Sequence, residues 1–195
     1  MGVVADDRFE RVPVSSRAEL HQWLLDHHGQ AEAVWLQTWK KSVPDRYVSH
    51  EDVLDELVAF GWIDGTMRRI DDQRVAQLVS PRRTQPWARS YKIRAERLIA
   101  SELMHPAGLA SVEAAKTPGM WEAMNDVDDL VVPDDLAAAL AVPPPASDTF
   151  AAFPPSTRRN ILRWIASART APTRSRRIAT TAADAQHGIR TKSNG

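Results

Sequence analysis

The stretch Gly61-Trp62-Ile63-Asp64-Gly65 constrains what this chain can fold into more than any other. Val53, Leu54, Leu57, Val58 and Phe60 precede it at helical spacing, behind the capping residues Ser49 and Asp52. Gly61 therefore falls where a helix-ending glycine belongs. Two short extended runs follow, Thr66–Ile70 and Arg74–Val79, parted by Asp71-Asp72-Gln73 in the manner of a hairpin. The stretch is thus the exit of a capped helix into a sheet, delivering one carboxylate and one indole to the junction. A glycine at each end permits a sharp turn and close approach of other backbone.

The flanking sequence supplies the rest of a small α+β fold. Ser16-Arg17-Ala18-Glu19 has the spacing of a capping box and opens a helix carrying Leu20, Trp23, Leu24 and His27 up to Gly29. Ala33 to Trp39 is rich in β-branched and aromatic residues and reads as a strand, which with the hairpin makes a three-stranded antiparallel sheet. Pro81 ends the hairpin because it cannot continue a ladder. Beyond Trp87 the pattern turns helical: a basic segment with Tyr91, Ala95, Leu98 and Ile99, a helix from Pro106 towards Pro118, another from Pro133, one capped by Ser156, and a last one from Thr173 to about Ala185. Pro143-Pro144-Pro145 reads as a stiff spacer. The expected organisation is a flexible leader at 1–15, a single domain at 16–185 and a disordered tail at 186–195. Within the domain a sheet-containing part (16–87) precedes a helical half (88–185) that packs onto it.

Composition narrows the chemistry. Seven Trp among 195 residues provide ample apolar area for a core, and the absence of Cys excludes disulfides, thiolate metal sites and cysteine nucleophiles. No run is long and apolar enough to cross a membrane, and the first residues show no secretory h-region, so the expectation is a cytoplasmic protein without membrane insertion. Net charge is zero but unevenly placed: nine basic residues and one acid (Asp184) lie from Pro155 onward, against 16 basic and 24 acidic residues before it. The basic end reads either as a tail for nucleic acid or an acidic partner, or as a helix docked on the chain's own acidic body, with Arg174 and Arg177 on one face. The second reading is preferred: nucleic-acid recognition would also need a reading helix or a stacking sheet, and neither is evident.

Asp64, set between Ile63 and Gly65 beside Trp62, is the candidate catalytic acid or base; desolvation there would raise its pKa. The same carboxylate would equally serve a buried ion pair with Arg68, Arg82 or Arg83. Arg82 and Arg83, after Pro81, suit bidentate recognition of a carboxylate or phosphate, or a solvated pair. Trp62 and Trp87 make either a stacking wall, with Arg82 as cation–π partner, or simple core. His27 and His28 diverge around a helix and His105 stands apart in sequence, so no metal site is expected. No phosphate loop, nucleophile elbow or dinucleotide fingerprint is present, and no cofactor is expected.

Several motifs together resemble the bacterial YdeI/OmpD-associated, or bacteriocin-protection, family. They are Val34-Trp35-Leu36 with Lys40-Lys41, Phe60 to Gly65, Ser80-Pro81-Arg82-Arg83 with Trp87, Met104-His105-Pro106-Ala107-Gly108-Leu109, and Thr173-Arg174-Ser175-Arg176-Arg177-Ile178. Where the family reads Trp-Ser-x-x-Asn, this chain has Ala88 and Tyr91 in place of the two polar residues. The resemblance implies protection against bacteriocins or antimicrobial peptides and brings no catalytic residues. The leading expectation is a stress- or peptide-resistance protein binding a small polar or anionic ligand in a pocket of Trp62, Asp64, Arg82, Arg83 and Trp87, with Arg68 and Lys40 nearby. Its alternatives are an enzyme using Asp64 as acid or base with Arg82 as anion anchor, and an interaction module presenting the basic C-terminal helix.

Overall fold

Ser16 accepts the backbone N–H of Glu19 at 3.1 Å, and helix α1 (Arg17–His27) starts at that cap as the Ser-x-x-Glu spacing requires. Ser49 does the same for Asp52 at 3.0 Å, opening α2 (His50–Ala59). The computed structural model describes residues 8–117, 119–142 and 144–191. The protein is α+β and divides into two compact units, Met1–Glu122 and Ala123–Gly195.

The first unit holds a four-stranded mixed sheet in the order β1 (Arg11–Pro13), β2 (Val34–Trp39), β4 (Arg74–Pro81), β3 (Trp62–Arg69). The β2, β4 and β3 ladders are antiparallel, as the sequence indicates. The fourth strand, β1, runs parallel to β2 within the stretch expected to be a leader. Three residues are too few to show a period of two, yet Val12 and Val14 are buried at 5% and 2% exposure, and that burial holds the strand. The remaining leader residues, 1–7, lie outside the described residues, as do Pro118, Pro143 of the three-proline spacer, and 192–195 of the expected tail.

Register assigns the faces. Val34, Leu36 and Thr38 of β2 oppose Val79, Gln77 and Val75 of β4, and these share one face with Trp62, Asp64 and Met67 of β3. The core gathers that face with Leu20, Leu24, Val53, Leu57, Val58, Trp87, Ala95, Leu98 and Val112 from α1, α2, the segment after β4, α3 (Arg89–Ala100) and α4 (Pro106–Lys116). Helices α3 and α4 thus belong to the same unit as the sheet.

The second unit comprises α5 (Asn125–Asp128), α6 (Asp134–Ala141), α7 (Ala146–Ala152), α8 (Pro155–Ala166) and α9 (Ala171–Gln186), around Leu136, Leu140, Phe150, Ile161, Ile165 and Ile178. Pro155 takes the first helical position of α8 in place of the expected Ser156 cap, and Thr170 caps α9 one turn before Thr173. The tail expected from 186 begins in structure: Ile189 N–H reaches Asp184 O at 2.9 Å and closes the end of α9.

Candidate functional site

The junction is built on Gly61. Its φ of +75° turns the chain from α2 into β3, and its carbonyl accepts Arg82 N–H at 2.9 Å, tying the start of β3 to the end of β4. A Cβ here would lie 3.0 Å from Ala107 O and 3.1 Å from Ser111 Cβ, so the glycine also admits α4. Trp62 follows with no exposure, edge-on to Trp23 at 5.5 Å and donating its indole N–H to His28 O at 3.3 Å. It is core and presents no wall to a ligand.

Asp64, on the same face, accepts one hydrogen bond from Gln77 Nε2 at 2.8 Å. Burial raises its pKa, opposed by the charges of His50, Arg82 and Arg94 and by a backbone hydrogen bond. A folded pKa above the unfolded one means that the folded state holds this proton more tightly. Stability therefore falls as pH rises from the unfolded pKa through the folded one. Asp64→Asn, which keeps an acceptor for Gln77, is expected to be more stable than wild type at pH 7, with the difference shrinking towards pH 4, as urea unfolding across that range would measure.

Arg68 is not beside Asp64. The β3–β4 register shifts between Asp64 and Met67, and the extra residue of this bulge sends Arg68 to the opposite face, with its guanidinium 3.6 Å from the Trp35 ring centroid. Arg83 is exposed and donates to Ala31 O at 2.9 Å. Arg82 is only 8% exposed, lying over Trp87 at 4.1 Å and Tyr91 at 4.9 Å. Its Nη1 donates to Gln85 O at 3.3 Å and Pro86 O at 3.4 Å, while Nε and Nη2 are buried without a partner. Burial pushes its pKa down to about 10 against the opposing pull of Asp64. Trp87 itself is 1% exposed and packs on Trp121 at 5.1 Å. Arg82, Trp87 and Tyr91 thus form a closed cation–π stack, with Asp64 in its electric field and Trp62 in the core.

The open space lies on the other side of Gln77. A cleft of about 250 Å³ is lined by Thr38, Lys40, Lys41, Tyr47, His50, Val53, Met67, Val75 and Gln77, among others. Lys40, the one expected site residue on its wall, donates to Asp71 O at 3.0 Å; Lys41 lies 5.9 Å from the Tyr47 ring centroid. Neither ammonium meets a carboxylate among the described residues. Asp64 reaches the cleft only through Gln77. The signal for Gln77 was in the sequence: it interrupts the inward series Val75, Gln77, Val79 with an amide.

Helix α2 forms the other side of the cleft and is fixed by its four acids. Asp52 and Glu56 hold Arg17 of α1 at 3.0 and 2.6 Å, and Glu56 also holds His21 at 2.8 Å. Glu51 takes Arg94 of α3 at 2.6 Å, and Asp55 takes Arg94 and Arg97. Its exit is packed by histidines distant in sequence: Phe60 stacks on His105 at 4.7 Å, and His105 meets His28 at 4.6 Å. Among the described residues no group of three or more His, Asp or Glu is arranged to hold a metal ion.

His105 caps α4, its Nδ1 accepting Ala107 N–H at 3.2 Å, which requires the neutral ring. Burial first, then His28 and His21, lower its pKa. The folded state therefore resists protonation, and stability is lost as pH falls below about 6.5. In His105→Asn, which retains a capping acceptor, the acid-side loss between pH 7 and 5 is expected to be shallower in melting experiments.

In the second unit, Arg174 holds Asp135 through Nε and Nη2 at 2.7 and 2.9 Å, and Arg177 donates to Trp164 O and to Ser167 Oγ. Both arginines fasten α9 to its neighbours within that unit. No helix among the described residues is long and apolar enough to cross a membrane.

Comparison with known proteins places these parts in two families. A family described as Domain of unknown function (DUF8412) matches residues 12–111, just over half of the chain, including all but the first residue of β1, the Gly61–Gly65 junction and the cleft. The family described as Bacteriocin-protection, YdeI or OmpD-Associated matches residues 129–188, so of the motifs that resembled it only Thr173–Ile178 lies in the matched segment. No curated protein and no solved structure matches the chain. The chain therefore belongs to the family described as Domain of unknown function (DUF8412), with a bacteriocin-protection, YdeI or OmpD-associated domain at residues 129–188.

Proposed function

We propose that this protein contributes to resistance against bacteriocins or related peptides, and that its sheet-bearing unit binds a small polar or anionic ligand. The match at 129–188 supports the first part. The observation carrying the second is the cleft of about 250 Å³, with Lys40 and Lys41 on its wall, His50 at the start of α2 and the Gln77 amide at its base. Two ammonium groups without carboxylate partners favour an anion, and Gln77, anchored on Asp64 at 2.8 Å, offers a preoriented polar group. The ligand site thus moves from the expected Trp62–Arg82–Trp87 locus to the neighbouring cleft, retaining Lys40 and, through Gln77, Asp64.

A thermal-shift screen of small carboxylates and phosphate esters tests this reading. At least one should raise the melting temperature of the wild type, and Lys40→Met should abolish the rise. A shift that survives in Lys40→Met would place the ligand elsewhere.

A second reading has its own observation. Asp64 has a raised pKa and lies in the field of His50, the arrangement expected of a general acid or base. If a turnover is found, Asp64→Asn should abolish it while the protein stays folded; activity retained in that variant would remove Asp64 from the chemistry.

A further inference from the structure

A second cavity, of about 190 Å³, lies wholly within the residues of the second unit. Val127, Val131, Pro133, Leu162, Ile165 and Ala166 give it an apolar lining, and Val131 is left 51% exposed beside it. Two charged residues complete the wall, Asp126 and Arg174. They are not equivalent. Arg174 is neutralised by Asp135 through two hydrogen bonds of 2.7 and 2.9 Å. The Asp126 carboxylate is exposed and meets no partner among the described residues. The unneutralised charge at this rim is therefore negative although the following helices are basic.

We propose that this cavity is a docking site for a basic–aliphatic protein segment, seating one bulky aliphatic side chain while a flanking Lys or Arg meets Asp126. The chemistry selects this occupant on two counts. An apolar socket at a surface gains most from a side chain that withdraws from water, and the Asp126 carboxylate at its edge favours a cationic neighbour over an acidic one. A purely apolar small molecule would leave Asp126 unused, and a polyanion would meet the wrong charge. The site uses neither the cleft of the first unit nor the ligand proposed for it.

The test is a fluorescence-anisotropy titration of the full chain with a labelled synthetic peptide of Leu and Lys at helical spacing, at low and moderate salt. Binding should weaken with salt, fall by roughly tenfold or more in Asp126→Lys, and fall in Val131→Asn. Both substitutions are at exposed positions, and melting curves would verify that each variant folds. A matched peptide with Glu in place of Lys should not bind, and Lys40→Met should leave binding unchanged. The proposal is overturned if the Leu/Lys peptide does not bind, if the Glu peptide binds as well, or if neither Asp126→Lys nor Val131→Asn changes the affinity. Loss in Lys40→Met would assign the peptide to the cleft and also overturn it.

Discussion

Gly108→Ala is expected to destabilise the protein by about 2 kcal/mol or more, although alanine is the better helix former. A Cβ at this position would lie 2.2 Å from Ala59 O and 2.8 Å from Ala59 C. Both are backbone atoms and cannot rotate away, so α4 would have to lift from α2. That lift would strain the His105 N–H to Ala59 O bond of 3.0 Å and the contact of Gly61 with Ala107 and Ser111. Overpacking of this kind costs about 3 kcal/mol, and the helix-propensity gain of roughly 1 kcal/mol offsets only part of it. Gly29→Ala is the matched control, since a Cβ there meets nothing within 4 Å. Urea unfolding of the two variants should separate them clearly; equal midpoints would show that α4 does not depend on this close approach.

Asp55→Ala should cost about 3 kcal/mol, because it strips a nearly buried guanidinium of its main partner. The side chains of Asp55 and Arg94 are 11% and 13% exposed, and Arg94 would keep only Glu51, itself 74% exposed. Arg97, half exposed, can recover its solvation in water and adds little. The double variant Asp55→Leu/Arg94→Leu should regain most of the loss, since a buried pair replaced as a unit leaves no orphan charge. If the double variant unfolds as readily as the single, the loss does not come from an orphaned Arg94 charge. Because α2 carries His50 and Val53 into the cleft, Asp55→Ala should also weaken any ligand that the cleft binds.

What could be read from the sequence was local. The caps Ser16 and Ser49, the helix-ending Gly61 and the Asp71 turn all lie within a few residues of the groups they satisfy; Asp71 Oδ1, for instance, accepts Gln73 and Arg74 N–H at 2.9 and 2.7 Å. The β3 bulge falls at Gly65, a glycine that suggests an irregularity but not which way the register shifts; without it Arg68 would share a face with Asp64, as alternation from Asp64 suggests. Arg82 after a proline at a strand end reads as a side chain in a mouth. Its cation–π contact with Trp87 is as expected; that Tyr91 of α3 joins it and closes the stack is not announced by the spacing. His105 looked isolated because its neighbours His28 and Phe60 come from α1 and α2. The cleft was half legible: Lys40 was singled out, while Gln77 and His50 gain their meaning only when β4 and α2 are set side by side.

The cleft as a ligand site is tested most directly by amide NMR of the labelled protein titrated with inorganic phosphate and with citrate. Shifts are predicted at Thr38–Lys41, Tyr47–Val53 and Val75–Gln77, and Lys40→Met should remove them. Shifts confined to other residues, or the same shifts in Lys40→Met, would contradict it.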